Sequence, residues 1–441
     1  MTDAGVPFEA VSATAGPVAR GSVARVGLAT AITAACGYVV LYLAARKLEP
    51  AGFALFGVFW GAFGLVAGAA NGLLQEATRE VRTAVAARLG AGTGTGTGTG
   101  TGSIRPILVA GGVGVAAAAL IAGTSPAWAP YVFAEERALS VILLAVGLAG
   151  FCLHATLLGM LAGTDRWSHY GSLMVTDAVI RVVVATAAFL LGWGLAGFLW
   201  ATVAGAMAWL LLLAVSASAR AAAGSRTTGS IADFLRGSAH SIAAAGASAV
   251  LVMGFPVLLK TTSGDLGATG GVVILAVTLT RAPLLVPLTA MQGNLIAYFV
   301  DHRRARLRAL LVPASIVTVV GVVGVACAAL IGPWLMRVGF GSEYRTSGTL
   351  LAWLTMAAVS IALLTLTGAA TVAAALHRAY AVGWVGATVA AALLLTLPLP
   401  LEVRTVIALL CGPVVGIAVH LAALARDPGL GAQSVDGVDA G

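Results

Sequence analysis

The sequence predicts an all-α polytopic membrane protein of about twelve transmembrane helices in two six-helix lobes, and three observations carry that expectation. The 441 residues are 59% hydrophobic and 10% charged, whereas a soluble protein carries about 25% charged residues. No soluble core could bury so much apolar surface, so lipid is the solvent for most of the chain. The apolar residues run in long stretches and do not alternate with polar ones, which argues against a membrane barrel. The basic residues collect on alternate loops, as the positive-inside rule requires.

A hydrocarbon core about 30 Å thick needs about 20 helical residues. Stretches that meet or approach that length lie near Val26–Ala45, Phe53–Leu74, Ile107–Ala122, Ala138–Leu161, Tyr170–Leu191 and Gly194–Ala217. The second set lies near Ile242–Leu259, Gly271–Leu295, Ala309–Ile331, Leu350–Ala375, Tyr380–Leu397 and Val406–Leu424. With the N-terminus placed in the cytoplasm, sixteen of the twenty-five Lys and Arg residues fall inside and seven outside, leaving Arg181 and Arg281 within spans. An even number of spans with both termini inside satisfies the rule. That topology accounts for the formal charge of +8 without a nucleic-acid partner, and it places the chain in a bacterial plasma membrane.

The expected organisation is a cytoplasmic tail over 1–22, a first lobe over 23–217, a cytoplasmic linker over 218–240, a second lobe over 241–424 and a disordered tail over 425–441. The Gly-Thr repeat within the loop 90–103 cannot pack and reads as a flexible tether. Cys36, Cys152, Cys327 and Cys411 stand far apart inside apolar runs, with neither metal-ligand spacing nor a disulfide framework.

Two distant stretches read alike. Ala119-Leu-Ile-Ala-Gly-Thr-Ser-Pro-Ala-Trp128 is echoed by Ala329-Leu-Ile-Gly-Pro-Trp334, and Phe133 with Glu136 by Phe340 with Glu343. Arg166 before Tyr170 is matched by Arg378 before Tyr380. The offsets are close to half the chain, so six spans separate the copies and both halves have the same orientation. Parallel repeats about an axis along the membrane normal are a transporter architecture.

No phosphate-binding Gly-rich motif, His-Glu-x-x-His or Cys/His cluster is present. The chain therefore reads as a non-enzyme without cofactor or metal. Its chemistry must lie in the charges within the spans. Arg181 and Arg281 each stand near the midpoint of a span, where a charge costs roughly 3 kcal/mol on insertion scales. Such a group faces water, a partner or a substrate. Asp177 precedes Arg181 by four residues and shares its helical face, so the two form either a structural pair or an ion-coupling site that a ligand opens. Arg281 has no acid within one turn and needs a partner from another helix, water or an anionic ligand. Gln75 and Arg79 form a polar end to the second span with Glu76 and Glu80. His154 and His420 lie inside spans, where a hydrogen-bonded bundle role competes with a proton relay. Pro256, Pro283 and Pro287 are candidates to break helices beside a cavity.

Ala45-Arg-Lys-Leu-Glu-Pro-Ala-Gly-Phe-Ala-Leu-Phe-Gly57 and Gly72-Leu-Leu-Gln-Glu-Ala-Thr-Arg79 resemble polysaccharide-export flippases of the Wzx type. Those flippases belong to the multidrug/oligosaccharidyl-lipid/polysaccharide (MOP) superfamily. Leu279-Thr-Arg-Ala-Pro-Leu-Leu285 and Gly332-Pro-Trp-Leu-Met-Arg-Val-Gly-Phe-Gly-Ser-Glu-Tyr344 resemble the second lobe of the same family. The resemblance implies two lobes that alternate between inward-open and outward-open shapes. It also implies a cationic cavity for the diphosphate and sugars of a polyprenyl-linked oligosaccharide. Arg281 and Arg181 are the candidates for that cavity, with Gln75, Arg79 and His154 as secondary ones. The implied partners are the lipid-linked glycan, membrane lipids and components of a glycan polymerase or glycosyltransferase. The chain departs from multidrug antiporters of the superfamily in having no acid in Val26–Ala45. An ion-coupled small-molecule antiporter using Asp177, and a membrane scaffold for glycan-synthesis enzymes, are the alternatives.

Overall fold

The computed structural model describes residues 20–92, 104–302 and 306–426. The expected tails beyond these ends, most of the Gly-Thr repeat, and Arg303 and Arg304 lie outside the described residues. Within them every regular element is helical, apart from one isolated antiparallel bridge between Ile104 and Thr227.

The helical stretch Arg20–Gly92 is two spans. Glu49 breaks it with φ 57° and ψ 173°, because Pro50 has no amide hydrogen and drives its predecessor out of the α region. The arm before the break is α1 and the arm after it α2. The first half continues with α3 (Pro106–Val132), α4 (Arg137–Gly163), α5 (Trp167–Leu191) and α6 (Gly194–Val215). A short α7 (Ala217–Ala223) lies in the linker. The second half begins with α8 (Ile231–Val252), α9 (Phe255–Ser263), α10 (Gly267–Ala290) and α11 (Gln292–Asp301). It ends with α12 (Arg306–Leu330), α13 (Gly332–Phe340), α14 (Gly348–Ala373), α15 (His377–Leu395) and α16 (Leu401–Arg426). Ten helices are long and apolar enough to cross a membrane, or eleven with the bent pair α8–α9. One of the ten is the doubled stretch α1–α2, so the described chain crosses twelve times. Its two described ends therefore share one face, termed terminal here, and the opposite face is distal.

Three elements differ from the sequence expectation. The third span does not stop at Ala122 but runs ten residues further, through Pro126 and Pro130. Pro126 deprives the Ala122 carbonyl of its helical donor, and Ser125 Oγ supplies the hydrogen bond instead at 2.8 Å. The seventh span is not one short helix: α8 and α9 meet at a 62° bend, with Pro256 near the start of α9, where its missing N–H breaks no bond of that helix. The eighth ends at Ala290, and a turn at Met291 opens α11.

The internal repeat has a structural counterpart at the ends of α4 and α14. Asp165 and Ala375, 210 positions apart, are both left-handed, with φ 56° and 60°. Around them Arg166 N donates to Leu161 O at 2.8 Å, and Leu376 N donates to Thr371 O at 2.9 Å. Two L-residues that accept the same strained cap in the same register mark equivalent helix ends.

The halves meet along α2. A Cβ on Gly61 would press against the Met253 carbonyl and Pro256 at the α8–α9 bend, and one on Gly72 would strike the backbone at Ser241–Ile242. These glycines let two helix backbones approach as closely as small residues allow in membranes. At the distal end Tyr344 is buried, stands edge-on to Phe53 and donates from Oη to the Ala45 carbonyl at 3.0 Å. The aromatic core of Phe53, Phe56, Phe59, Phe63 and Phe198 fills the space around α2. α3 and α12 are the least buried spans, and their exposed Leu and Val side chains form the lipid-facing flanks.

Candidate functional site

Arg281 occupies the middle of α10 and is 8% exposed. Its Nη1 donates to the Val252 carbonyl at 3.2 Å and to Leu251 at 3.5 Å. Those carbonyls end α8, and Val252 is the residue whose helical donor would have been the nitrogen of Pro256. The bend thus leaves acceptors inside the membrane, and Arg281 reaches across from α10 to cap them. Its guanidinium carbon lies 5.2 Å above the Phe255 ring, a cation–π contact worth roughly 0.5–2 kcal/mol. Nη2 is buried without a hydrogen-bond partner, and no carboxylate forms an ion pair with it among the described residues. The charge is held in place but not neutralised.

Arg181 sits on α5 in a different setting. Nε and Nη2 each lie 3.0 Å from Asp177 Oδ1, one turn earlier. Nη1 donates to the Thr202 carbonyl of α6, next to a 3₁₀ turn at Gly205–Met207. The guanidinium lies 5.4 Å above Phe63 of α2. A Cβ on Gly205 would collide with the Asp177 carboxylate and Arg181 Nε, so glycine at the turn makes the room in which the pair sits. This group is neutral overall and every arm of the guanidinium is occupied.

The structure does not give the two arginines a common side-chain partner. α2 touches both sites, with Phe63 under Arg181 and Gly61 against the bend that Arg281 caps. His154 on α4 belongs with the first pair: it is buried, stacks on Phe151 at 5.4 Å, has an unpartnered Nδ1, and feels the charges of Asp177 and Arg181. Gln75 and Arg79 are exposed at the terminal end of α2, away from Arg281. Arg79 there pairs with Glu76 at 2.5 Å and Glu80 at 3.2 Å. His420 is fully engaged, with Thr367 Oγ1 at 3.0 Å and the Tyr380 carbonyl at 3.3 Å, which makes it a clasp between α14, α15 and α16. No cluster of three His, Cys, Asp or Glu with metal-holding geometry occurs among the described residues, and the four cysteines are free thiols.

Sequence reasoning missed the partners of Arg281, since Leu251, Val252 and Phe255 approach only through the bend. The available signal was Gly254-Phe255-Pro256 inside an apolar run. It also missed Lys260, which is buried in the last turn of α9.

Solved structures of transporters carry the same fold. An inward-facing multidrug resistance MATE family transporter of the MOP superfamily matches with a TM-score of 0.68 over 90% of this chain and 98% of its own, at 16% identity. The outward-facing conformation of such a transporter gives 0.63 over 92% and 95%. A MOP superfamily transporter from Pyrococcus furiosus, described by a reverse polarity of its binding pocket that suggests a different function, gives 0.62 over 92% and 95%. These likenesses, at 15–16% identity, concern the fold. The chain itself belongs to a family with uncharacterized mycobacterial proteins. One from Mycobacterium bovis is 67% identical over 424 residues, covering 96% of both chains. Mycobacterium tuberculosis carries two more, one 67% identical over 424 residues and 96% of both chains, the other 65% identical over 428 residues, 97% of this chain and 96% of the relative. No protein-family model matches the sequence.

Proposed function

We propose that the protein is a flippase that moves a lipid-linked oligosaccharide, or a related anionic cell-envelope precursor, across the plasma membrane by alternating access between its two halves. The observation that carries this reading is Arg281: a buried, unneutralised guanidinium with one arm unpartnered, at the bend where the halves meet. An unpaired cation at membrane depth is expensive, and a diphosphate group would offer the planar fork two acceptor oxygens. The head of the substrate would cross between the halves while its hydrocarbon tail stays in lipid. Terminal and distal faces then correspond to cytoplasm and exterior, in line with the basic-residue count.

Replacing Arg281 by Ala in a deletion strain should abolish appearance of the glycan at the cell surface and cause the lipid-linked precursor to accumulate, with unchanged protein in the membrane. Normal surface glycan in that strain would overturn the assignment.

One observation favours a second reading. Asp177 and Arg181 lie on a helix packed against the one that carries His154, whose ring nitrogen is unpartnered. Acid, arginine and histidine together are the groups with which an antiporter of small molecules exchanges protons or cations. In that case Asp177→Asn lowers drug resistance while the surface glycan stays normal.

A further inference from the structure

A cavity of about 530 Å³ opens on the distal side between the two halves. Leu55 and Val58 of α2 and Val132 at the end of α3 form its apolar wall, with Glu135 beside them, and the second half contributes Lys260 and Asp265. Lys260 is 9% exposed, and no hydrogen bond or ion pair joins its ammonium to another described residue. Glu135 and Asp265 are both exposed, so they stand at the mouth while the lysine stands within. We infer that this cavity is a second anion site, in which Lys260 receives a phosphate or diphosphate group on the distal side.

The physical argument has three steps. An unpartnered ammonium on a nine-tenths buried lysine persists in a membrane protein where a cavity brings it water or an anion, and Lys260 lines such a cavity. Lys260 lies five residues beyond Phe255, the ring beneath Arg281, so it is displaced by about 7.5 Å along α9, whose axis turns 62° from α8 on its way to the distal face. A phosphate-bearing head leaving Arg281 in that direction meets Lys260 next. Finally, the two residues differ as a holding site and a releasing site should. The guanidinium binds oxygens in pairs, whereas the ammonium is a compact, strongly hydrated charge without a fixed fork. The carboxylates at the mouth weaken retention further.

The order Arg281 then Lys260 rests on the flippase reading, but binding of an anion at Lys260 does not. The sequence makes the test direct, because Lys47 and Lys260 are its two lysines and Lys47 is exposed. The full chain in phosphatidylcholine nanodiscs is treated with an amine-acylating reagent, and the rate at each lysine is read by peptide mass spectrometry. Pyrophosphate in solution is expected to slow acylation of Lys260 several-fold and leave Lys47 unchanged. Slowing only when phosphatidic acid is added to the nanodisc would assign the site to a lipid headgroup and still support it. No slowing by either, equal slowing at both lysines, or no reaction at Lys260 under any condition would overturn the site. Binding of radiolabelled pyrophosphate to the purified protein should fall in Lys260→Gln and survive in Lys260→Arg. Protection of Lys260 alongside normal export in Arg281→Ala would sink the flippase reading and keep the anion site. Lost export in Arg281→Ala with no protection of Lys260 would do the reverse.

Discussion

Arg181 and Arg281 meet the same difficulty, a guanidinium within the membrane, and each meets half of it in the same way. Both reach across to backbone carbonyls at a break in a neighbouring helix, and both lie over a phenylalanine ring. They part at the other half. Arg181 has a carboxylate one turn away on its own helix, so the charge is cancelled before any ligand arrives. Arg281 has backbone acceptors and a ring, which orient it without cancelling it. A helix break therefore anchors an arginine in lipid surroundings, and only an acid neutralises it. That difference separates a charge already cancelled inside one half from one that is not.

The sharpest way to break this comparison is to remove the acid. Asp177→Ala leaves the half-buried Arg181 unpaired, and losing one member of a fully buried pair costs about 3–5 kcal/mol, the upper bound here. The unfolding midpoint of the detergent-purified protein should fall markedly, and most of the loss should return in Asp177→Ala/Arg181→Ala. Arg281→Ala should behave otherwise. It forfeits charge-assisted hydrogen bonds worth about 1.5–3 kcal/mol, yet relieves an intramembrane charge that costs roughly 3 kcal/mol. Its midpoint should stay close to the parent's even though export is lost. A large fall there would make Arg281 a structural residue.

A smaller effect is expected at the turn that makes room for the pair. Gly205→Ala introduces a methyl group where the Asp177 carboxylate and Arg181 already sit, and overpacking of this kind costs about 1–3 kcal/mol. The variant should lower the unfolding midpoint less than Asp177→Ala does. Combined with Asp177→Ala it should add less than its full cost, because its tightest collision, with the Asp177 carboxylate, is then gone while Arg181 Nε remains. Full additivity would mean that Gly205 serves the helix break itself and not the pair.

Much of this was legible in the sequence, and the particulars show why. Asp177 and Arg181 are four apart on one helix, so their pairing follows from helical period alone. Two of the repeat's matches fall at helix ends, where the local chain forms the same caps, as Asp165 and Ala375 do; the third does not, since Ala119–Trp128 lies within α3 and Ala329–Trp334 spans the break between α12 and α13. Apolarity ends the third span at Ala122; the helix continues past Pro126 because Ser125 repairs the ladder with one hydroxyl, which apolarity does not reveal. The burial of Lys260 was illegible for a different reason. Its cavity is built from α2, the end of α3 and the start of α10, three elements that come together only in the folded bundle. The same holds for Arg281 and the carbonyls of α8, thirty residues away.

The smallest expected difference lies in the two rings. Phe63→Leu and Phe255→Leu each remove a cation–π contact of roughly 0.5–2 kcal/mol while keeping an apolar side chain. Arg181 would still hold Asp177 and the Thr202 carbonyl, so Phe63→Leu should leave its position and the protein's activity nearly unchanged. Arg281 has no other side-chain partner among the described residues, and Phe255 also lies in the first turn of α9, beside the bend. Phe255→Leu should therefore loosen the guanidinium and raise the substrate concentration needed for half-maximal export more than it lowers the maximal rate. Equal effects of the two substitutions on export would mean that Arg181 is as much a part of the substrate path as Arg281, and the contrast between a cancelled and an available charge would no longer divide them.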